Sequence, residues 1–142
     1  MTKQSLQLVY TILCDDVRLE VGNKISLMGI FQNIMVERLP VSIIKFAVVN
    51  HWQGQGRHTT EVRILTPDKN KLVVSSQPTE IELSLGGFTD NVSFFVNVVF
   101  PVAGVYWIQT LANSVIVEEK PLIITDVHSL SNQLEEASQA VN

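Results

Sequence analysis

The sequence predicts an all-β domain of about eight strands, followed by one short helix. Three observations predict it. Apolar residues recur at every second position through much of residues 4–125, turn-forming residues separate these stretches, and the two-residue period stops after Thr125. Because successive side chains of a strand point to opposite faces of a sheet, this period is typical of half-buried strands. A chain of 142 residues suits one domain.

The densest run of strand-forming residues, 91–125, is expected to lie at the centre of the fold. Apolar residues alternate from Val92 to Phe100, Pro101–Gly104 interrupts them, and Val105–Leu111 resumes the pattern, which predicts a hairpin. The second face of the first of these strands is also half apolar. Since strands buried on both faces lie inside a sheet or under a partner, we expect a central position for this strand.

Asparagine marks two further turns, because its side chain tolerates the left-handed backbone that tight turns need. Ala112–Ser114 is predicted to join two strands of the carboxyl-terminal part. A three-residue loop that ends at Asn23 would pair Glu20 with Lys24, and apolar residues would then face apolar residues along the whole hairpin. A two-residue loop would set Glu20 opposite Ile25 and mix the faces, so we expect the longer loop.

The residues around this turn carry a resemblance to a known family. Cys14–Arg18 reads CDDVR, Glu20 follows, and Gly22–Phe31 reads GNKISLMGIF. The segment resembles the CDDVR-E-GGK-SL-GIF signature of a family of small uncharacterised bacterial proteins that is also seen in phage. Asn23 stands where a glycine is commoner, and a left-handed turn position accepts that exchange.

The resemblance extends to the end of the predicted sandwich. Gly104–Tyr106 and Pro121–Ile123 resemble the last part of that family's domain, so the likeness covers nearly all of residues 5–125. It implies an immunoglobulin-like antiparallel β-sandwich, and it implies no activity. We therefore expect a sandwich domain over residues 4–125 and a separate helix or tail over residues 126–142.

Composition favours a soluble cytoplasmic protein that binds neither nucleic acid nor membrane. The formal net charge is −4, and the ten Lys and Arg residues form no block that would attract a phosphate backbone. Cys14 is the only cysteine and the amino-terminal residues lack the pattern of a signal peptide, which favours a reducing compartment. No apolar run approaches the ~18 residues of a membrane span.

Two histidines are either ligands of a shared metal ion or ordinary polar residues of a hairpin. His51 and His58 flank a glycine-rich turn that is predicted to join strands 43–52 and 59–66. Matching the apolar faces of these strands places Trp52 opposite His58 and puts His51 on the other face. The two imidazoles would then not share an ion, so we expect no metal site. The pair of Trp52 and His58 is expected to stack across the hairpin at one end of the sandwich.

No set of residues predicts catalysis or a cofactor. Cys14 has no positioned base at a spacing that is known for cysteine nucleophiles. Asp15 and Asp16 are adjacent, so they point to opposite faces of a strand and do not share a calcium ion. Serine nucleophile motifs, phosphate-binding glycine loops and zinc-type cysteine pairs do not occur in the sequence. The protein is therefore predicted not to be an enzyme.

The leading functional hypothesis is a non-catalytic module that binds another protein or itself. Phe88 stands in a glycine-rich stretch that is predicted to be an end loop, where sandwich domains often bind partners. Trp107 lies on the less polar second face of its strand, which the second sheet or another subunit would cover. The alternative is a sensor domain that binds a small ligand in a pocket near Trp52, His58 and Phe88.

The carboxyl-terminal segment 126–142 is predicted to form an amphipathic helix. Val127, Leu130 and Leu134 begin an apolar stripe at intervals of three and four residues, and Asp126 or Ser129 is available as an amino-terminal cap. A helix this short is marginal alone and needs a surface to pack on. That surface is either its own sandwich or another chain, so Leu130 and Leu134 are candidate binding residues.

Overall fold

The computed structural model describes residues 5–128, which form eight strands. The prediction of an all-β fold is confirmed. The strands are β1 (Leu6–Glu20), β2 (Lys24–Ile30), β3 (Asn33–Val36), β4 (Val41–Leu65), β5 (Leu72–Ser75), β6 (Thr79–Phe100), β7 (Gly104–Ala112) and β8 (Val115–Asp126).

The two longest strands, β4 and β6, run through both layers of a sandwich. Val41–Gly54 of β4 pairs with β1 on one side and with Gly87–Phe100 of β6 on the other. Gly56–Leu65 pairs with the beginning of β6, then with β5, and on its opposite side with β7. The pairing with β6 shifts between Gly54 and Gly56, where β4 passes from one layer to the other.

The two layers are completed by the shorter strands. β2 pairs with β1 at the edge of the first layer, and β8 pairs with β7 in the second layer. β3 joins the edge of β8 in parallel, so the expectation of a wholly antiparallel arrangement does not hold for this pair. The main apolar core lies between the layers and takes Phe46 and Val48 from one half of β4 and Val62 and Ile64 from the other.

Two predicted hairpins are wrong. The runs 43–52 and 59–66 lie almost entirely within the single strand β4. Trp52 therefore pairs with Thr89 rather than with His58. The runs 92–100 and 105–111 do not pair with each other either, because β6 pairs with β4 and β7 pairs with β4 and β8. The alternation identifies the apolar face of each run. Two apolar faces can pack against each other from opposite layers of the core as well as side by side in a hairpin, so alternation alone does not predict a hairpin.

The turns predicted from asparagine are confirmed. Asn23 has a φ of 58°, and Glu20 pairs with Lys24 as the three-residue loop requires. Asn113 and Ser114 have φ angles of 51° and 66° and connect β7 to β8 as a two-residue turn. Positive φ at both central positions is the geometry of a type I′ hairpin turn, whose twist matches that of the flanking strands.

The crossing from β6 to β7 is fixed by the hydroxyl of a fully buried tyrosine. The Tyr106 hydroxyl donates to the carbonyl oxygen of Val102 at 2.7 Å and accepts the Val102 N–H at 3.2 Å. A tyrosine that bonds back to the backbone a few residues upstream is the tyrosine corner of immunoglobulin-like sandwiches. The corner satisfies two backbone groups where the chain leaves one layer for the other.

One end of the interior is polar rather than apolar. The Thr11 hydroxyl lies 2.7 Å from Asn50 Oδ1 and 3.0 Å from Glu118 Oε2, and Lys120 Nζ donates to the Thr11 carbonyl oxygen at 2.6 Å. Thr11 and Asn50 are buried. Because Thr11 and Asn50 belong to the first layer and the other two residues to β8, these bonds join the layers.

The described part of the chain ends at the start of the predicted helix. Val127 and His128 are helical, and Asp126 Oδ1 accepts the N–H of His128 at 2.9 Å, as expected of a capping residue. The remaining residues of that prediction, which include Leu130 and Leu134, lie outside the described residues. Among residues 5–128, no helix is long and apolar enough to cross a membrane.

Replacing Tyr106 with phenylalanine tests the corner. We expect Tyr106→Phe to lower the free energy of unfolding by about 1–3 kcal/mol, because two hydrogen bonds to the backbone of Val102 are lost. Urea denaturation measures the change. Val102→Ala is the control, since it shortens an exposed side chain and keeps both backbone bonds. A loss of less than about 0.5 kcal/mol in Tyr106→Phe would contradict the assignment.

Candidate protein-binding edge

The second half of β6 is the edge of the first layer. Residues Gly87–Phe100 pair with β4 on one side, and no strand among residues 5–128 pairs with the other side. The sequence prediction of a central strand is therefore wrong for this run. Both faces of this run are apolar, but only one is buried: Ser93 and Phe95 of the second face point inward, whereas Phe94 and Val96 of the first alternating set point outward. The backbone N–H and C=O groups along the free side of the run are available to a further strand.

The outward face of this edge is apolar over most of its length. Phe88 is 67% exposed and Val96 is 61% exposed, at edge positions where natural proteins commonly place charged side chains. Asn97, with a φ of 53°, interrupts the alternation, so that Val98 enters the core. We call the exposed apolar residues of this face the β6 stripe: Phe88, Phe94, Val96 and Val99.

A groove runs beside the free side of β6. Its volume is 590 Å³, and it lies between β6 and the chain that joins β5 to β6. Asp90–Val96 form one wall, and Val74–Gln77 with Thr79 and Ile81 form the other. The two walls belong to the edges of the two layers, so the groove is a gap between these layers that is open to solvent.

A cluster of aromatic and charged side chains lies at one end of the β6 stripe. The rings of Tyr10 and His51 stack at a centroid distance of 5.0 Å and an angle of 8°, and the Phe88 ring lies 5.7 Å from that of His51. His51 Nδ1 is 2.7 Å from Asp90 Oδ1, and the Tyr10 hydroxyl donates to the same oxygen at 3.3 Å. Burial raises the pKa of the Tyr10 hydroxyl, and the charge of Asp90 raises it further.

Strand pairing explains why these residues meet. Tyr10 of β1 pairs with His51 of β4, and His51 pairs with Asp90 of β6, so the three share one face of the sheet. Tyr10 and Asp90 were not predicted as site residues. The signal that would have found them is the pairing of β4 with both neighbours, which a single sequence does not show.

The residues predicted to line a pocket do not come together. Trp52 is fully buried on the face opposite Phe88, and its Nε1 has no hydrogen-bond partner among the described residues. His58 is buried, with Nε2 2.8 Å from the Gln55 carbonyl oxygen and Nδ1 3.0 Å from the Asn113 side-chain amide. These partners fix the imidazole as a structural element of the second layer.

Trp107 has a partner within its own chain. The Lys69 ammonium lies over its indole ring at 4.6 Å from the centroid, and the side chain is half-buried. Glu119 accepts a hydrogen bond from the Gln109 amide and another from Lys69, and both bonds lower the pKa of Glu119. The ammonium is thus held between a carboxylate and an aromatic face, which is a satisfied surface arrangement.

The CDDVR segment builds the hairpin of β1 and β2. Cys14 is fully buried with Ala47 and Val49 in a second, smaller core on the outer face of the first layer. Burial raises the pKa of the Cys14 thiol, and the charge of Asp15 raises it further. Lys45 donates to Asp16 at 3.0 Å and lowers its pKa. The buried thiol is the opposite of the exposed, activated thiolate that a nucleophile needs.

Gly29 allows the Asp15 side chain to lie against the backbone of β2. A β-carbon on Gly29 would collide with the Asp15 carboxylate, and the φ of 68° already favours glycine at this position. The aspartate and the glycine of the predicted signature are therefore explained by packing. No group of three His, Cys, Asp or Glu residues among residues 5–128 is placed to hold a metal ion.

These features define a class of protein: a β-sandwich domain whose most unusual surface is an open, apolar strand edge. Comparison of the sequence with models of protein families identifies the family. The model of a family of unknown function, DUF6941, matches residues 9–125, and the chain belongs to that family. A comparison with curated proteins gave no match.

Solved structures share the fold at low sequence identity. A β-glucosidase from Listeria innocua in complex with isofagomine matches with a TM-score of 0.53 and 9% identity over 86% of this chain. The same enzyme in complex with glucose matches with a TM-score of 0.51 and 7% identity. In both cases the match spans only 16% of the enzyme chain. At this identity the likeness concerns the fold alone.

Two glycines with nearly equal φ angles test the packing of Asp15. Gly29 and Gly86 have φ angles of 68° and 69°, but a β-carbon at Gly86 would meet nothing within 4 Å. Gly86→Ala is expected to cost roughly 1–2 kcal/mol for the left-handed backbone alone. Gly29→Ala should cost more by about 0.5–1.5 kcal/mol, because the Asp15 side chain must leave its rotamer to avoid the new β-carbon. Urea denaturation should also show that Asp15→Ala recovers part of the Gly29→Ala loss; equal costs for both glycines would refute the account.

The raised pKa of Tyr10 predicts a pH dependence of stability. The folded protein holds the Tyr10 proton above the ordinary pKa of 10.0, so the stabilisation is complete below that pH and is lost as the pH rises through the folded value. The free energy of unfolding of the wild type, measured relative to Tyr10→Phe, should therefore fall above pH 10.0. A difference that stays constant from about pH 8 to about pH 11 would show that the folded protein does not raise the pKa of the Tyr10 hydroxyl.

Proposed function

We propose that this protein is a non-catalytic protein-binding module, and that its partner adds an extended strand to the free side of β6. The observation that carries the proposal is the unpaired edge Gly87–Phe100, which is long, apolar on its outward face and bordered by a groove. In strand addition, main-chain hydrogen bonds supply affinity and pockets for alternate side chains supply specificity.

The edge lacks the features that usually protect a free strand. Natural proteins shield such edges with lysines, prolines, inward-pointing charges or very short strands. Thr79–Phe100 contains no lysine, arginine or proline, and its second half is longer than a typical strand. Within Gly87–Phe100 the edge is interrupted at Asn97, whose backbone is left-handed. A long unshielded edge is costly to keep unless a partner covers it.

The groove gives the added strand a second surface. A strand that pairs with β6 would place alternate side chains between the edges of the two layers, toward Val74 and Ile81. Its other side chains would extend the outer face beside Phe94 and Val96. The partner is therefore expected to be apolar at alternate positions, like a strand of the sandwich itself.

The proposal places this binding in a reducing cytoplasm and assigns the protein no catalytic role and no cofactor. It is supported by the free, buried thiol of Cys14 and by the net charge of −4, which disfavours nucleic acid as the partner. A small-ligand sensor is the weaker alternative, because Trp52 and Phe88 lie on opposite faces of the sheet.

A synthetic strand tests the proposal. The probe is a nonapeptide of alternating valine and threonine, acetylated and amidated at its ends, and titration calorimetry measures its affinity for the full chain. We expect binding that Val96→Lys weakens at least about tenfold, which corresponds to about 1.4 kcal/mol, because a lysine on a strand edge opposes pairing. Methylation of alternate peptide nitrogens should abolish binding, since it removes main-chain donors.

A matched variant separates this effect from a general effect of charge. Val115 is 63% exposed, as Val96 is at 61%, but it lies in β8 away from the edge. Val115→Lys should leave the affinity unchanged. The proposal is wrong if the wild type does not bind the peptide at millimolar concentration, or if the two lysine variants bind it equally well.

A further inference from the structure

We propose that the partner strand carries an arginine, which binds between the Phe88 ring and the Asp90 carboxylate. This inference rests on the proposed strand addition, because Phe88 and Asp90 lie on the β6 edge itself. It adds to the proposal the chemistry of one partner residue and the position where that residue is recognised.

Asp90 has one carboxylate oxygen in use and one available. Oδ1 takes the hydrogen bonds of both Tyr10 and His51, at 3.3 and 2.7 Å. Within residues 5–128, Oδ2 has no partner, and no lysine or arginine pairs with Asp90. The side chain is 29% exposed and lines the groove. The two bonds to Oδ1 hold the carboxylate in place before a ligand arrives, which reduces the entropy lost on binding.

Phe88 supplies the second half of the site. Its ring is exposed and leans on the imidazole of His51, which is itself stacked on Tyr10. Residues two apart along a strand share a face, so Phe88 and Asp90 are neighbours on the outer surface. A guanidinium is planar, stacks on aromatic rings and donates to a carboxylate from its edge. An arginine therefore satisfies both halves of the site at once, whereas a lysine ammonium has no plane to stack.

Charge favours a different protein over a second copy of this chain. If two Gly87–Phe100 edges paired with each other, each would bring the acidic Asp90 and no basic residue. Neither copy would then have a basic residue in β6 that could pair with Asp90 of the other copy. A partner strand with a basic residue removes this mismatch, and the positive charge also favours encounter with a chain of net charge −4.

An arginine scan of the synthetic strand tests the inference. Arginine replaces each residue of the valine–threonine nonapeptide in turn, and citrulline, which has nearly the same shape without the charge, replaces the same residue in a control peptide. We expect at least a tenfold gain in affinity of arginine over citrulline at one position of the peptide. The gain should shrink at high ionic strength, because the pair is partly exposed.

Three variants locate the gain. The gain is the ratio of the arginine to the citrulline affinity within each variant: Asp90→Asn should remove it, and Phe88→Ala should reduce it several-fold. Glu80→Gln is the control, since Glu80 is an exposed carboxylate on the same strand that already pairs with Arg57 at 3.2 Å. It should leave the gain unchanged.

The outcomes separate the two proposals. If the valine–threonine peptide does not bind, strand addition itself is wrong. If it binds but no arginine position exceeds its citrulline control, or if the gain survives in Asp90→Asn, strand addition stands and the arginine site is wrong. A gain that Glu80→Gln removes as fully as Asp90→Asn does would also overturn the site, because it would report net charge rather than a position.

Discussion

The structure depends on one strand that belongs to two layers. β4 hydrogen-bonds to β1 and β6 in its first half and to β5, β6 and β7 in its second. Gly54 and Gly56 make the passage possible, because both have a positive φ and a β-carbon at Gly54 would collide with the backbone of Ser5. β6 follows the same route as the partner of β4. Its second half is an edge because no strand among residues 5–128 pairs with its other side.

Sequence reasoning succeeded where the determinant was local. Asn23 and Asn113 predicted their turns because a left-handed residue depends only on its own side chain and on the next few bonds. The register of Glu20 with Lys24 followed from matching apolar faces across a short loop. The predicted pairing of strands 43–52 and 59–66 was wrong because the actual neighbours are distant along the chain, as Phe95 is for Phe46. Alternation shows that Phe46 is buried, and it carries no information on which strand lies beside it.

The same limit applied to the candidate site. Phe88 was identified from the sequence because an aromatic residue among glycines invites a functional explanation. His51 was considered only as a metal ligand, since Tyr10 and Asp90 become its neighbours only when three strands are in register. Trp52 was expected at a pocket, yet the alternation of β4 turns it inward and turns its neighbour His51 outward. Because adjacent residues of a strand point to opposite faces, Trp52 is buried while His51 joins Tyr10 and Asp90 on the outer face.

The shared strands also bear on how the domain loses its structure. In a sandwich of two self-contained sheets, one layer can in principle open while the other persists as a separate cooperative unit. Here the hydrogen bonds of both layers run along the same two backbones, and the Tyr106 corner and the bonds from Thr11 to β8 tie the layers again. When one layer opens, half of β4 and half of β6 lose their hydrogen-bond partners, and the remaining halves of the same two strands are destabilised in the other layer. The domain should therefore unfold as a single cooperative unit, with its slowest amide exchange distributed over β4 in both layers rather than confined to one sheet.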